Sequence, residues 1–245
     1  MQKLHQEISV RTLKTGITLL QVSLKKGSFR LSADGEFFSG VHLLTGRVGS
    51  GKTSLGELLT GIITPDSGSI IQENCRRVML LQDTSYHVST ITVREEAASW
   101  HGDEKRIIAL SGLFGKEETD IFALSRGELK RLELAAILTG RYDLIVLDEP
   151  YAGLDKDARK WVNRIIAGCN NKVIILISHD ITSLPPVDFL WEMDNGTLTC
   201  IGKVPECLIG WSRAPPLIRF LLNNGSYPKG LARLDLEEAV CRIHA

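Results

Sequence analysis

A glycine-rich segment, GRVGSGKT, contains the residues whose types and spacing most directly indicate chemistry. The pattern G-x-x-x-x-G-K-[ST] is met by Gly46, Gly51, Lys52 and Thr53. In such a loop, glycines let backbone N–H groups approach phosphates, the lysine contacts the β and γ oxygens, and the hydroxyl binds magnesium. A simple helix-capping turn would not require lysine followed by threonine here, so we predict phosphate binding.

Two carboxylates follow a second apolar segment, LIVLDEP. The apolar run predicts a buried strand, and Asp148 and Glu149 would lie at its carboxyl end, where open α/β sheets bind ligands. A solvated acidic turn is the alternative. Beside a phosphate loop, we expect Asp148 to hold magnesium through water and Glu149 to polarise an attacking water as general base.

A histidine follows a third apolar run, in VIILISHD. A lone histidine is usually structural. Because the carboxyl ends of parallel strands converge on one edge of a sheet, we predict instead that His179 contacts a γ-phosphate.

The elements that must position these residues are predicted from periodicity. Residues 8–24 resemble two strands around Thr15-Gly16, and FRLSAD is a third, ending in an Asp34-Gly35 turn. The stretch from Val93 to about Leu138 has mostly helical spacing, and alternating strands and helices follow up to TLTCIG. The fold class is therefore α/β: a mainly parallel core sheet with an N-terminal antiparallel β subdomain, an inserted helical subdomain and a small C-terminal extension.

Composition sets further bounds. Lysine plus arginine equals aspartate plus glutamate at 29 each, which argues against a nucleic-acid binder. The five cysteines are scattered without metal-ligand spacing, as expected for reduced thiols in a cytoplasm. The longest apolar runs have strand length, so work at a membrane would require a partner.

Read in order, GRVGSGKT, LSRGE, LIVLDEP, AGLD and ISHD resemble the ABC ATPase family over roughly residues 5–210. The resemblance implies a P-loop NTPase fold that uses ATP and Mg²⁺, with a nucleotide-binding domain at 1–210, its helical subdomain at about 84–140, and a helical extension at 211–245. The residues implied as nucleotide-binding (Walker A) are Gly46, Arg47, Val48, Gly49, Ser50, Gly51, Lys52 and Thr53. Those implied elsewhere are Gln82 (Q-loop, near magnesium), Ser125, Arg126, Gly127 and Glu128 (signature loop), Asp148 and Glu149 (Walker B), Asp155 (D-loop) and His179 (switch histidine).

In that family two ATPase subunits face each other, and the signature loop of one completes the nucleotide site of the other. The usual signature is LSGGQ, whereas Arg126 and Glu128 stand here in place of a glycine and the glutamine. A glutamate pointing inward would repel phosphates, so the site that this loop completes is weakened or specialised. We therefore expect a second ABC ATPase subunit, in a homodimer or, preferably, a heterodimer.

The segment LLQDTSYHVSTITVREEAASW resembles the Q-loop stretch of energy-coupling factor transporter ATPases, which serve importers of vitamins and transition-metal ions. A transmembrane coupling subunit is expected to dock near residues 82–100, with a substrate-binding membrane subunit contacted indirectly. Glu95 and Glu96 would meet its basic residues, or would only favour their own helix dipole. The chain would then be peripheral on the cytoplasmic face of the membrane.

Two alternatives remain. A soluble ABC-type ATPase that clamps nucleic acid or ribosomes is the competing function, although the sequence between Lys52 and Ser125 is too short for long coiled coils and there is only one cassette. The second concerns Phe29, the aromatic nearest to the family's adenine-stacking position, for which a core position is the favoured interpretation.

Overall fold

The computed structural model describes residues 16–72, 75–100 and 102–243. The strands in these residues are β1 (Gly16–Lys26), β2 (Phe29–Phe38), β3 (Gly40–Thr45), β4 (Ser67–Ile71), β5 (Arg77–Leu80), β6 (Leu144–Asp148), β7 (Val173–Ile177), β8 (Phe189–Asp194) and β9 (Thr197–Lys203). They form one sheet in the order β4-β1-β2-β9-β8-β3-β7-β6-β5. This is the mainly parallel α/β sheet with an antiparallel N-terminal part that the sequence predicts.

The centre of the sheet is parallel. β3 lies between β7 and β8, β7 pairs with β6, and β6 pairs with β5, all in parallel register. Every residue of β6 and of β7 is buried, as expected for parallel strands with helices on both faces. Because these strands run in the same direction, their carboxyl ends form one edge, and that edge positions the site.

The N-terminal part of the sheet is antiparallel, with β1 paired to β2 and to β4. The first predicted strand, before residue 16, lies outside the described residues. The predicted turn at Asp34-Gly35 is wrong, because β2 continues through it. The carboxylate of Asp34 accepts the amide of Gln21 at 2.7 Å, where β1 bulges. Gly35 lies so close to Trp191 that a Cβ there would be 2.8 Å from the ring.

The helices of the described residues are α1 (Lys52–Thr60), α2 (Val93–Ser99), α3 (Glu104–Ser111), α4 (Arg126–Thr139), α5 (Lys156–Ala167), α6 (Pro216–Asn223) and α7 (Arg233–Cys241). Among the residues described, none of these helices combines the length and the apolar character needed to cross a bilayer.

The helical segment between β5 and β6 has a core of its own. α2, α3 and α4 contribute buried side chains that include Val93, Ile107 and Leu132. α2 starts with a capping box in which Thr92 and Glu95 exchange hydrogen bonds, which explains why the helix begins at the predicted residue. The start of α4 is tied to this lobe by the ion pair between Lys116 and Glu128, and it lies beside the loop after β6, where a Cβ on Gly127 would be 3.5 Å from the carbonyl oxygen of Gly153.

The last two helices pack on the main sheet layer rather than forming a core of their own. Ile218 and Leu221 of α6 and Leu236 and Ala239 of α7 belong to the same buried cluster as residues of β6, β7 and α5. The C-terminal segment therefore shares the hydrophobic core of the α/β body.

Candidate functional site

The predicted phosphate loop connects β3 to α1. Gly46 has a φ of 142°, and a Cβ at this position would lie 2.1 Å from the carbonyl oxygen of Met193. Gly51 is the N-cap of α1 with a φ of 107°. Both conformations are rarely adopted by residues with side chains. The glycines are thus required by backbone geometry, and the free amides at the start of α1 form an anion-favouring terminus.

Lys52 folds back over this loop. Its Nζ donates to the carbonyls of Gly46, at 2.8 Å, and of Arg47, at 2.9 Å. Burial lowers the pKa of Lys52, while the nearby carboxylates of Glu149 and Asp148 raise it. Hydrogen bonds to the two loop carbonyls place a cation at the mouth of the loop, where phosphate oxygens are predicted to bind.

Thr53 and Asp148 meet across the strand–helix boundary. The hydroxyl Oγ1 of Thr53 donates to Oδ2 of Asp148 at 2.6 Å, and Asp148 is 3% exposed. Burial raises the pKa of Asp148, opposed by the hydrogen bond from Thr53. A hydroxyl and a carboxylate are the hard oxygen ligands that Mg²⁺ prefers, so the donor set fits the predicted ion.

Glu149 and His179 come from the ends of adjacent strands, β6 and β7, and lie in contact. Nδ1 of His179 is 2.7 Å from Oε1 of Glu149. The imidazole is largely exposed, whereas the carboxylate is mostly buried. The structure therefore brings both side chains to one edge of the sheet, as the sequence predicts.

Lys130 was not singled out from the sequence, yet it reaches this edge. It belongs to α4, it is 4% exposed, and its Nζ donates to the backbone oxygen of Glu149 at 3.0 Å. The sequence of α4 did not predict this contact, because a lysine among other charged residues is normally exposed to solvent.

Gln82 follows β5 and is exposed. It lines an open cleft of about 530 Å³ together with Asp83, Arg126, Leu129, Lys130, Ala152 and Gly153. The predicted Q-loop, signature helix and D-loop of the same chain therefore meet at one cleft.

The signature loop is closed by a capping box. Ser125 donates through its N–H, at 2.9 Å, and its hydroxyl, at 2.7 Å, to Oε2 of Glu128. Oε1 of Glu128 accepts from Lys116 at 2.5 Å. Lys116 and Ser125 lower the pKa of Glu128 to about 2. The carboxylate is therefore folded back onto its own helix and paired with a cation, rather than directed away from the protein.

Asp155 and Phe29 have local structural contacts. Oδ1 of Asp155 accepts the amides of Asp157 and Ala158 and so caps α5.

Phe29 packs against the cluster under the antiparallel strands, and its ring faces Gly51, where a Cβ would lie 2.6 Å from it. This position agrees with the core interpretation of Phe29.

Comparisons with known proteins by sequence and by structure all find ABC transporter proteins. The family described as ABC transporter matches residues 37–152. The energy-coupling factor transporter ATP-binding protein EcfA1 of Thermotoga maritima is 28% identical over 218 residues, covering 76% of this chain and 83% of that protein. The cytochrome c biogenesis ATP-binding export protein CcmA 2 of Salmonella paratyphi A is 31% identical over 192 residues, covering 72% and 86%. An ATP-bound bacterial Atm1-family ABC exporter structure has a TM-score of 0.67 at 17% identity, over 76% of this chain and 38% of the exporter chain.

Proposed function

Because the chain belongs to the ABC transporter family of ATP-binding proteins, we propose that it powers an importer of the energy-coupling factor type for vitamins or transition-metal ions. That it is an ATPase coupled to transport follows from the family. The importer type is supported by similarity to EcfA1 of Thermotoga maritima over most of both chains.

One observation carries the hydrolytic part of the proposal: two pairs of side chains meet at one sheet edge. Thr53 contacts Asp148 at 2.6 Å, and Glu149 contacts His179 at 2.7 Å. Four side chains with the chemistry of phosphoryl transfer come from three separate chain segments. A purely structural role would not require a hydroxyl, two carboxylates and an imidazole at the same sheet edge.

The roles follow from chemistry and position. Thr53, Asp148 and Gln82 would hold Mg²⁺, which when bound neutralises charge on the phosphates of ATP. Lys52 and the amides of residues 46–53 bind the β- and γ-phosphates. Glu149 takes a proton from the attacking water, and His179 orients Glu149 and contacts the γ-phosphate.

Dimerisation and docking complete the proposed assembly. The signature loop, Ser125 to Glu128, would act on ATP held by a second ABC ATPase subunit, with Asp155 at the interface. A transmembrane coupling subunit would dock near residues 82–100, on the cytoplasmic face of the membrane, and contact the substrate-binding subunit only indirectly. Nucleic acid is not part of the proposed assembly.

The structure changes one detail of this docking proposal. Glu96 has no exposed surface and accepts hydrogen bonds from Ser89, Thr90 and Trp100. It is therefore not at the surface, where a basic coupling helix would bind. Glu95 is exposed but accepts the amides of Ile91 and Thr92, which agrees with the alternative that it favours its own helix.

Copurification from native membranes tests the proposal. We expect the tagged chain to recover a transmembrane coupling subunit and a second ABC ATPase. Tyr86, 77% exposed within the proposed docking segment, and Phe114, 87% exposed outside it, provide a matched pair. Tyr86→Arg should lose the membrane protein while Phe114→Arg keeps it, with ATP binding unchanged in both. Recovery of ribosomes or DNA in place of membrane proteins would refute the transporter assignment in favour of a soluble clamp.

A further inference from the structure

Lys130 makes a contact that the roles assigned so far do not use. Its side chain lies almost wholly inside the protein, 4% exposed, and its Nζ is 3.0 Å from the backbone oxygen of Glu149. Burying a lysine costs free energy unless its charge has partners. Burial lowers the pKa of Lys130, and the nearby carboxylates of Glu149, Asp148 and Asp83 oppose this effect. Two of these carboxylates, Glu149 and Asp148, belong to the predicted site.

The backbone that Lys130 contacts is in an unusual conformation. Glu149 has a φ of 47°, which is the left-handed region. This region costs a residue with a Cβ on the order of 1 kcal/mol, so neighbouring contacts must maintain it. The amide of Glu149 donates to the carbonyl of Ile177 at 3.0 Å, and its own carbonyl accepts from Lys130 at 3.0 Å and from the amide of Ala152 at 3.1 Å. The Glu149 backbone is thus held at both its donor and its acceptor.

The location of Lys130 on α4 connects this backbone to the signature loop. α4 begins at Arg126, directly after Ser125, and Lys130 lies one turn into the helix. Lys130 lines the cleft in which Gln82, Arg126 and Gly153 also lie. A rigid helix that moves at its N-terminus would move Lys130 with it.

We propose that Lys130 is a positioning residue for hydrolysis, which fixes the backbone of Glu149 so that its carboxylate faces His179 and the attacking water. It touches neither ATP nor the reacting atoms. The proposal rests on the proposed function in one respect, which is that Glu149 is the general base. Because α4 begins at the signature loop and contains Lys130, this helix would connect the signature loop to the general base of the same chain.

The test uses the complex purified from native membranes, in which the chain carries Lys130→Met, Lys130→Gln or the control Lys105→Met. Lys105 is an exposed lysine of α3. Because misplacing a catalytic group by about 1 Å can cost a hundredfold, we expect Lys130→Met to lower kcat by on the order of tenfold to a hundredfold. KM and the Kd for ATP should stay within about twofold, since the phosphate loop is untouched. Lys130→Gln keeps an N–H donor and should recover most of the activity.

A second measurement separates positioning from general structural support. In the Glu149→Gln background, Lys130→Met should cause no further loss, because it acts only through Glu149. A further proportional loss, or a parallel fall of ATP affinity and melting temperature in both Lys130 variants, would overturn the proposal. So would normal kcat in Lys130→Met when Glu149→Gln is inactive. If Glu149→Gln itself kept full turnover, the assignment of the base would fail, and the role of Lys130 with it.

Discussion

The imidazole of His179 and the carboxylate of Glu149 are 2.7 Å apart, Nδ1 to Oε1, although they are 30 positions apart in the chain. Each ends or follows one of two adjacent parallel strands, and the register places Asp148 opposite Ile177. The contact joins a proposed base to the side chain proposed to contact the γ-phosphate. It determines how several substitutions should behave.

Glu149→Gln should reduce ATP hydrolysis by about 10²-fold or more, because an amide cannot accept the proton of the attacking water. ATP binding should remain, since the phosphate contacts come from residues 46–53. Turnover of the purified complex and binding of a fluorescent ATP analogue measure the two effects. Glu118→Gln, at an exposed glutamate of the helical lobe, is the control. Unchanged turnover in Glu149→Gln would exclude it as the base.

His179→Ala should lower kcat by about 10²-fold with little change in ATP affinity, because it removes both the partner of Glu149 and a γ-phosphate contact. Residues that act as a unit give non-additive losses. The double variant with Glu149→Gln should therefore be no slower than the slower single variant. Multiplied losses in steady-state assays would show that the two residues act independently.

Thr53→Val should raise the Mg²⁺ concentration needed for half-maximal hydrolysis by about tenfold, because it removes the hydroxyl that contacts Asp148 and would bind the ion. Thr53→Ser keeps the hydroxyl and is the matched control, expected to resemble the wild type. Magnesium titrations of ATPase activity at saturating ATP provide the comparison. Equal magnesium dependence of all three proteins would remove Thr53 from the proposed metal site.

Lys116→Met should weaken the site that the signature loop completes on a partner subunit. The substitution leaves the carboxylate of Glu128 without the ammonium now 2.5 Å away, and an unpaired anion repels an incoming phosphate. We expect ATPase activity of the complex to fall by about tenfold and Glu128→Gln in the same chain to restore it. Absence of rescue would indicate that Lys116 only supports the local fold.

Glu133→Gln should change the pH dependence of stability. Burial and the neighbouring charge of Glu96 raise the pKa of Glu133 to about 9, against the effect of Lys130. Between the pKa of the unfolded chain and about pH 9, the Glu133 carboxyl is neutral in the folded protein but ionised in the unfolded chain. The free energy of unfolding therefore falls as pH rises through this window.

The Gln variant should therefore be close to the wild type near pH 5 and exceed it by about 5 kcal/mol near pH 8.5, because each pH unit in the window contributes about 1.4 kcal/mol. Denaturant unfolding at both pH values measures the difference, with the exposed Glu118→Gln as control. Parallel pH profiles of Glu133→Gln and the wild type would contradict a raised pKa.

Local patterns predicted a large part of the fold because they depend on short-range physics. Thr92 and Glu95 are three residues apart and form the capping box that starts α2, as the sequence of that segment suggests. The Asp34-Gly35 pair has equally strong local turn chemistry, but the bulge at Gln21 and the ring of Trp191 impose a strand instead. Contacts from distant segments therefore overrode the local preference.

The sequence by itself determined the chemistry of the phosphate loop, because Gly46, Gly51, Lys52 and Thr53 are contiguous and each function depends on residue type. It also placed Glu149 and His179 at strand ends. Only the tertiary structure decided where three charged side chains make their contacts. Glu128 pairs with Lys116, Glu96 is buried in the helical lobe and accepts from Trp100, and Lys130 donates to the backbone oxygen of Glu149. The physical reason is that burial and pairing depend on long-range packing, which a local pattern of polar residues does not encode.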